Sequence, residues 1–136
     1  FESLFNLFFE GGNATLTLNG DPDPLEAEIG IEAQPPGKRN TSLRLLSSGE
    51  KALTAISLLF SIYQVKPSPY CILDEVDAPL DDVNIRKFTK VLSKFSSETQ
   101  FIIVTHNKLT MEIADYMYGV TQEEKGISKL VSVQFD

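Results

Sequence analysis

Two short segments decide the fold of this chain: residues 70–75 read Tyr-Cys-Ile-Leu-Asp-Glu, and residues 101–106 read Phe-Ile-Ile-Val-Thr-His. Each is a run of four apolar residues that ends in polar side chains. Such runs are typical of strands in a parallel sheet that is buried on both faces. Because parallel strands end at the same edge of a sheet, where ligands bind, we expect Asp74, Glu75 and His106 to lie close together.

The residue types at this predicted edge suit chemistry on phosphates. An Asp at a strand end can hold Mg²⁺ through its water shell, and the Glu that follows can orient or deprotonate an attacking water. A His beside them can donate to a γ-phosphate or hold that water. Taken singly, Asp74-Glu75 is also consistent with an acidic loop, and His106 with a capping or core residue. The alignment of two strand ends favours the functional interpretation.

A third feature is the segment at residues 46–51, Leu-Ser-Ser-Gly-Glu-Lys, which we predict to start a helix. Hydroxyl groups, free backbone N–H groups and the positive end of the helix dipole suit such a segment to binding an anion. The alternative is an ordinary N-cap by Ser47 or Ser48, with Lys51 exposed to solvent.

The remaining chain divides into a β-rich part at 13–46 and an α/β part at 47–136, after a helix end at 1–10. In the β-rich part, alternating apolar residues predict half-buried antiparallel strands at Ala14–Leu18 and Ala27–Ala33. In the α/β part we predict a helix buried nearly all round, a strand, an amphipathic helix, a strand, a helix and a last strand, with the first two strands in a right-handed βαβ unit. These are Ser47–Val65, Tyr70–Leu73, Val83–Ser96, Phe101–Val104, Leu109–Met117 and Ile127–Phe135.

Composition narrows the possible functions. The 136 residues are 42% hydrophobic and 23% charged, as expected for one globular domain. The net charge of −7 disfavours binding of free nucleic acid by this piece alone. The single cysteine and single histidine allow neither a disulfide framework nor chemistry that needs two imidazoles within one chain. The chain opens without methionine, and we expect it to be part of a longer protein.

The order of these features resembles the C-terminal half of an ATP-binding-cassette (ABC) ATPase, where a signature motif, a Walker B strand with its D-loop and a switch histidine follow one another. The match is closer to the head domain of the structural maintenance of chromosomes (SMC) family. Residues 46–55 look like the SMC signature, residues 71–84 like its Walker B motif and D-loop, and residues 104–108 like its switch segment. The Gln-Pro-Pro-Gly-Lys segment at 34–38 is similar to the bacterial branch of the family.

The resemblance covers nearly the whole chain. It implies that residues 1–136 are a single C-terminal lobe of an SMC head, an α/β fold with parallel strands, flanking helices and N-terminal antiparallel strands.

The family pattern has glycine at the position of Ser48, where we expect the serine to crowd a phosphate or disfavour a positive φ. No G-x-x-x-x-G-K-[ST] motif occurs in the chain, so we expect the phosphate-binding P-loop to come from an N-terminal lobe.

By the same resemblance, several residues receive roles in the use of ATP and Mg²⁺. Asp74 would help to hold Mg²⁺ through water, Glu75 would be the catalytic base, and His106 would sense the γ-phosphate. Asp81 would be the D-loop residue at the seam of a head dimer. The signature residues would contact ATP held by a partner head: Ser47, Ser48, Gly49 and Glu50.

The resemblance also implies partners and a setting. The partners would be the N-terminal lobe of the same head, a second head in an ATP-sandwiched dimer, the C-terminal winged-helix domain of a kleisin subunit, and DNA through the full complex. The implied location is the cytoplasm, in association with the nucleoid, and no membrane is involved.

Two other functions remain open at this stage. One is an interaction module that docks a kleisin or another head without hydrolysing ATP, and the other is a related ABC-type ATPase of DNA repair or transport. The intact Asp74, Glu75 and His106 disfavour the first for the complete protein. The run at 77–84 and the Asn107-Lys108 pair favour an SMC head over a transport ATPase. Upstream sequence with a P-loop and long heptad repeats would decide the matter.

Overall fold

A computed structural model describes residues 1–39 and 42–135 of the chain. Four helices, six strands and a short 3₁₀ turn at Leu43–Leu45 follow one another in these residues. In chain order the helices and strands are α1 (Glu2–Phe9), β1 (Asn13–Asn19), β2 (Glu28–Gln34), α2 (Ser48–Val65), β3 (Tyr70–Asp74), α3 (Asp82–Phe95), β4 (Gln100–Val104), α4 (Lys108–Met111), β5 (Tyr116–Glu124) and β6 (Ile127–Gln134).

The strands in the described part of the chain pair two by two. β1 and β2 are antiparallel, as predicted, and so are β5 and β6. β3 and β4 are parallel, and α3 lies between them in the sequence. Their register runs from Tyr70 opposite Gln100 to Asp74 opposite Val104, so the two strands end side by side.

The core lies among α1, α2 and α3 and is rich in phenylalanine. The Phe60 ring of α2 lies 5.8 Å from the Phe8 ring of α1, 5.5 Å from Phe95 of α3 and 6.0 Å from Phe101 of β4, measured between ring centroids. Edge-to-face and offset contacts of this kind are favourable for aromatic rings. One side chain therefore fixes α2 against the other two long helices and against the strand that leads to His106.

The amphipathic pattern of α3 correctly predicted its buried face. Ile85, Phe88, Val91 and Leu92 are buried, and Phe95 packs against the core while partly exposed. The helix begins one residue before the predicted start and ends one residue before the predicted end. Its first turn is fixed by Asp81, whose Oδ1 accepts a hydrogen bond from the Asn84 backbone N–H at 2.9 Å.

The prediction that the central strands are buried on both faces is wrong for this chain. In β3, Leu73 is buried but Ile72 is 61% exposed, and in β4 Ile102 and Val104 are about half exposed. The helix α2 was expected to be buried nearly all round, yet Ile62 on it is 62% exposed. In β3, β4 and α2, one face is covered by other parts of this chain. No described segment packs on the opposite face.

The N-terminal hairpin is also less covered than predicted. Ala14 and Ala33, which are paired, are buried against the core. Farther along the same face, Leu16, Leu18 and Ile29 are exposed. The hairpin therefore contacts the helical core only near its base.

The predicted helix at Leu109–Met117 is wrong at its C-terminal end. The helix α4 ends at Met111, and β5 starts at Tyr116. Alternating residues with a high strand preference, Tyr116, Tyr118 and Val120, explain the strand. The apolar spacing within 109–117 was mistaken for one continuous helix.

None of the helices described in the structure is both long and apolar enough to cross a membrane.

Candidate functional site

The parallel strands β3 and β4 bring the predicted acidic and histidine residues to one edge. Asp74 ends β3 opposite Val104, and the Glu75 backbone N–H continues the pairing by donating to the Val104 carbonyl at 2.9 Å. Glu75 has φ +48°, in the left-handed region that residues with a Cβ rarely adopt. Such a backbone is common where the surrounding structure must aim a functional side chain.

Glu75 and His106 lie beside each other, as predicted. Glu75 Oε1 is 3.8 Å from His106 Nδ1, with 60% and 78% of the two side chains exposed. The gap is longer than a hydrogen bond, so the two groups form an ion pair only when the imidazole is protonated. Both side chains therefore remain accessible to a ligand at this edge.

Asp74 lies at the same edge, because it is the last residue of β3. Its carboxylate is exposed and, among the described residues, has no hydrogen-bond or ion-pair partner. Mg²⁺ in phosphate-using proteins is commonly held by one or two carboxylates together with water and substrate phosphates. The described residues contain no cluster of three or more metal-binding side chains. Asp74 thus fits a hydrated Mg²⁺ whose other ligands are phosphates, and it does not fit an all-protein metal site.

A buried carboxylate behind this edge was missed as a functional candidate. Asp77 is 2% exposed, and its Oδ2 accepts hydrogen bonds from Thr105 Oγ1 at 2.6 Å and Thr110 Oγ1 at 2.5 Å. Thr105 Oγ1 also accepts from the Asn107 backbone N–H at 2.9 Å. Two features of the sequence could have indicated this cluster: an acidic residue two positions after Glu75, and a threonine directly before His106.

The predicted anion-binding segment forms the start of α2 with a complete capping box. Glu50 N–H donates to Ser47 Oγ at 3.3 Å, and Ser47 N–H donates to Glu50 Oε2 at 2.7 Å. Lys38 Nζ lies 3.2 Å from the same Glu50 oxygen. Burial raises the pKa of Glu50, but the hydrogen bonds from Ser47 and the nearby Lys38 outweigh it, and the pKa is lower than usual. The Glu50 carboxylate is therefore engaged within the chain.

The backbone at Ser48 does not have the conformation that only glycine favours. Ser48 is the first residue of α2, and φ is positive at just two described residues other than glycine, Glu10 and Glu75. The expectation of an unfavourable positive φ at Ser48 is therefore wrong. Its side chain is exposed at the start of the helix.

Gly49 lies close to the loop that follows Glu75. A Cβ at Gly49 would lie 3.3 Å from Asn84 Nδ2 and 3.5 Å from the Pro79 carbonyl oxygen. The signature segment therefore contacts the segment around Asp81, which itself caps α3. No described hydrogen bond or ion pair joins residues 47–50 to Asp74, Glu75 or His106. The structure thus contains two separate groups of candidate residues.

The fold places Glu75 and His106 at the ends of two adjacent parallel strands. It is the fold of an SMC-type head domain. Solved structures support this class. One comes from work on "ATP-driven dimerization and DNA stimulated activation of SMC ATPases" and matches with a TM-score of 0.88 at 37% identity, over 98% of this chain and 80% of that chain. The SMC head domain from Thermotoga maritima matches with a TM-score of 0.78 at 42% identity, over 98% of this chain and 46% of that chain.

The family is established by sequence as well. Residues 10–129 match the RecF/RecN/SMC N terminal domain family, and the chain belongs to that family. It is 54% identical over 133 residues to the chromosome partition protein Smc of Coxiella burnetii, covering 98% of this chain and 11% of that protein. It is 53% identical over 136 residues to the Smc protein of Bacillus subtilis, covering 100% of this chain and 12% of that protein. The chain therefore spans about a tenth of the length of these relatives.

A further solved structure pairs the fold with a partner. A structure described as the SmcHead bound to the C-winged helix domain of ScpA matches with a TM-score of 0.87 at 38% identity, over 99% of this chain and 41% of that chain.

Proposed function

We propose that residues 1–136 form the C-terminal lobe of the ATPase head of a chromosome partition protein of the SMC family. In this proposal the lobe contributes Asp74, Glu75 and His106 to an ATP site whose P-loop belongs to the N-terminal lobe of the same head. The observation that carries the proposal is the Glu75–His106 pair, 3.8 Å apart at the ends of parallel strands.

The chemistry assigned to these residues follows from their positions. Glu75 accepts a proton from the water that attacks the γ-phosphate, because its carboxylate is exposed and held at the strand end. His106 hydrogen-bonds the γ-phosphate or the attacking water from the neighbouring strand end. Asp74 would hold the water shell of Mg²⁺, and bound Mg²⁺ would supply charge stabilisation to the phosphates.

The exposed apolar face of β3 and β4 supports a missing lobe. Ile72 and Ile102, which are paired, are 61% and 47% exposed, although their sequence pattern is typical of buried positions. An apolar surface of this kind on a folded protein marks an interaction site. We assign it to the lobe that carries the P-loop. The solved chain that matches with a TM-score of 0.88 is only slightly longer than this one, because this chain covers 80% of it.

The signature segment acts in a second site, on ATP held by another head. Ser47, Ser48 and Gly49 start α2, where free N–H groups and the helix dipole favour an anion. No described hydrogen bond or ion pair joins these residues to Glu75 or His106. We therefore assign them to the γ-phosphate of a second ATP, and not to the ATP at which Glu75 acts. Glu50 positions Ser47 through the capping box, and Asp81 is assigned to the seam between the two heads.

The proposed partners follow the relatives. The kleisin partner is inferred from the matched SmcHead bound to the winged-helix domain of ScpA, and head dimerisation from the matched work on SMC ATPases. We assign contact with DNA to the full complex. The net charge of −7 disfavours binding of DNA by this chain alone. The proposed location is the bacterial cytoplasm, on the nucleoid.

The test is ATP hydrolysis by the complete head with Glu75→Gln. The amide keeps the size of the side chain but cannot accept the proton, so we expect turnover to fall about 10²–10⁴-fold while ATP binding is retained. Glu98→Gln is the matched control, because Glu98 is an exposed glutamate in the loop before β4, and we expect parental turnover. Parental turnover in Glu75→Gln would mean that the base lies elsewhere.

A second function, docking of partners without hydrolysis, is favoured by one observation. Most apolar residues of the β5–β6 hairpin are exposed, which suits a surface that a partner covers. The same experiment separates the two functions, because a docking module would show no turnover that depends on Glu75.

A further inference from the structure

We propose that Asp77 is a positioning residue that sets the distance between Glu75 and His106. This inference rests on the proposed function of these two residues. It is carried by the hydrogen bonds from two threonines to one buried carboxylate oxygen. We call the three side chains, Asp77, Thr105 and Thr110, the threonine clasp.

The clasp joins three segments: the turn after Glu75, the residue before His106 and the helix α4. Asp77 lies in the turn after Glu75, where the Ala78 N–H donates to the Glu75 carbonyl at 3.1 Å. Thr105 directly precedes His106, and Thr110 belongs to α4. Asp77 thus ties the turn that carries Glu75 to the turn that carries His106.

The turn at His106 is itself anchored through the clasp. Thr105 Oγ1 donates to Asp77 and accepts from the Asn107 N–H at 2.9 Å, so the residues on both sides of His106 are fixed. Asn107 Oδ1 in turn accepts from the Leu109 N–H at 2.9 Å, which starts α4. His106 projects from this fixed turn with 78% of its side chain exposed.

The burial of Asp77 makes its hydrogen bonds energetically important. A carboxylate that is 2% exposed loses most of its hydration, and within the described residues no cation pairs with it. Hydrogen bonds to a charged group are stronger than neutral ones and have narrow geometry. Two such bonds to one oxygen therefore hold the two turns at a defined separation.

The turn that carries Asp77 also lies beside the start of α2. Leu80 N–H donates to the Asp77 carbonyl at 3.0 Å, so the Asp77–Leu80 turn includes Pro79, whose carbonyl oxygen would lie 3.5 Å from a Cβ at Gly49.

The first test reads the coupling without ATP. His106 is the single histidine of the chain, so its ring resonances are assigned at once in an NMR spectrum of the 136-residue chain. We expect Glu75→Gln to shift these resonances in the parent. In an Asp77→Ala background we expect that shift to disappear, whereas Asp77→Asn, whose carbonyl can still accept both hydroxyls, retains it.

Thr110→Val provides a second variant if Asp77→Ala does not fold. Valine keeps the shape of threonine but removes the donor, so we expect the response of His106 to Glu75→Gln to weaken. Thr89→Val is the matched control, since its hydroxyl is also on a buried helical residue but donates to the Arg86 carbonyl at 3.1 Å. A full response in Asp77→Ala or Thr110→Val, equal to that in Thr89→Val, would overturn the clasp.

The second test uses turnover by the complete head. We expect Asp77→Ala to lower kcat about tenfold to a hundredfold with KM for ATP nearly unchanged, and Asp77→Asn to recover most of the loss. An unchanged kcat in Asp77→Ala would overturn the positioning role. If instead Glu75→Gln keeps parental turnover, the proposed function fails, and the NMR experiment still decides whether Asp77 couples the two turns.

Discussion

His106 Nδ1 lies 3.8 Å from Glu75 Oε1, although the two residues are 31 positions apart in sequence and belong to different loops. The parallel pairing of β3 and β4 creates this proximity, because Asp74 and Val104 are opposite each other where the strands end. The described residues of this chain therefore bring the two candidate side chains together without any contribution from another segment.

Asp74→Asn should weaken the use of Mg²⁺ in the complete head. The amide lacks the negative charge that holds the metal's water shell, so we expect the Mg²⁺ concentration for half-maximal turnover to rise about 10–100-fold. A Mg²⁺ titration at saturating ATP measures the change, with Asp82→Asn as the control because Asp82 is also exposed but lies in α3. An unchanged titration would remove Asp74 from the metal site.

The position of the candidate site was predictable from the sequence because it depends on two neighbouring strands that run parallel and end together. Two apolar runs predict parallel strands, and parallel strands place Glu75 and His106 at one edge. The start of α2 was also predictable, since a serine before a helical pattern indicates an N-cap. The cap of α3 by Asp81 was not predicted, because the apolar pattern indicates a helix start at Val83.

Other features depend on what lies around an element and could not be predicted from local pattern. The apolar residues Ile72 and Ile102 predict burial on both faces, yet their exposure is decided by which segments are present to cover them. The strand at Tyr116 was hidden because its first residues extend the apolar spacing of α4. The burial of Asp77 depends on contacts with Thr105 and Thr110, which are distant in sequence.

Ser47→Arg should leave ATP binding to a single head intact and abolish ATP-driven dimerisation. Under the proposed function, the arginine side chain would occupy the space that the γ-phosphate held by the opposite head enters. Sedimentation with and without ATP measures dimer formation. Normal ATP-dependent dimerisation of Ser47→Arg would contradict the role of this segment in trans.

The loss of the helix cap in Ser47→Arg is controlled for by Ser47→Thr, and Ser48→Gly tests the neighbouring residue. Loss of the Ser47 cap alone costs about 1 kcal/mol, so the unfolding of each variant is measured alongside. Ser47→Thr keeps the capping hydroxyl and should dimerise like the parent. Ser48→Gly should not improve dimerisation by relieving backbone strain, since Ser48 has no positive φ.

The stabilisation from Glu50 should depend on pH. Because the pKa of Glu50 is lower in the folded chain than its usual 4.5, its ionised form stabilises the fold above that value. This stabilisation is lost as the pH falls through the folded pKa. We expect Glu50→Gln to lower the free energy of unfolding by about 0.5–1 kcal/mol at pH 7, and the difference from the parent to be smaller at pH 3.

Urea unfolding of the parent and the variant at the two pH values tests the Glu50 prediction. Gln at this position can still accept the Ser47 N–H, so the comparison isolates the charge. Glu26→Gln is the control, an exposed glutamate in the loop before β2. A Glu50→Gln difference that is the same at pH 3 and pH 7 would argue against the charge effect.

Ile102→Asp should block association with the P-loop lobe more than it affects this lobe's own stability. Ile102 is 47% exposed, so we expect unfolding to change by about 1 kcal/mol or less. Affinity for the P-loop lobe, measured by calorimetry, should fall at least about tenfold. Leu25→Asp, at a position 92% exposed in the turn between β1 and β2, should leave that affinity unchanged. Equal affinities in the two variants would place the lobe interface elsewhere.

The central claim is that this chain is one lobe of a divided ATPase, and mixing the two lobes tests it most directly. The purified 136-residue chain and the separately purified P-loop lobe of the same protein are assayed for ATP hydrolysis alone and together. We predict negligible hydrolysis by either lobe, hydrolysis on mixing, and loss of that hydrolysis when the added chain carries Glu75→Gln. Hydrolysis by the 136-residue chain alone that depends on Glu75, or no hydrolysis by a mixture in which the lobes are bound, would contradict it.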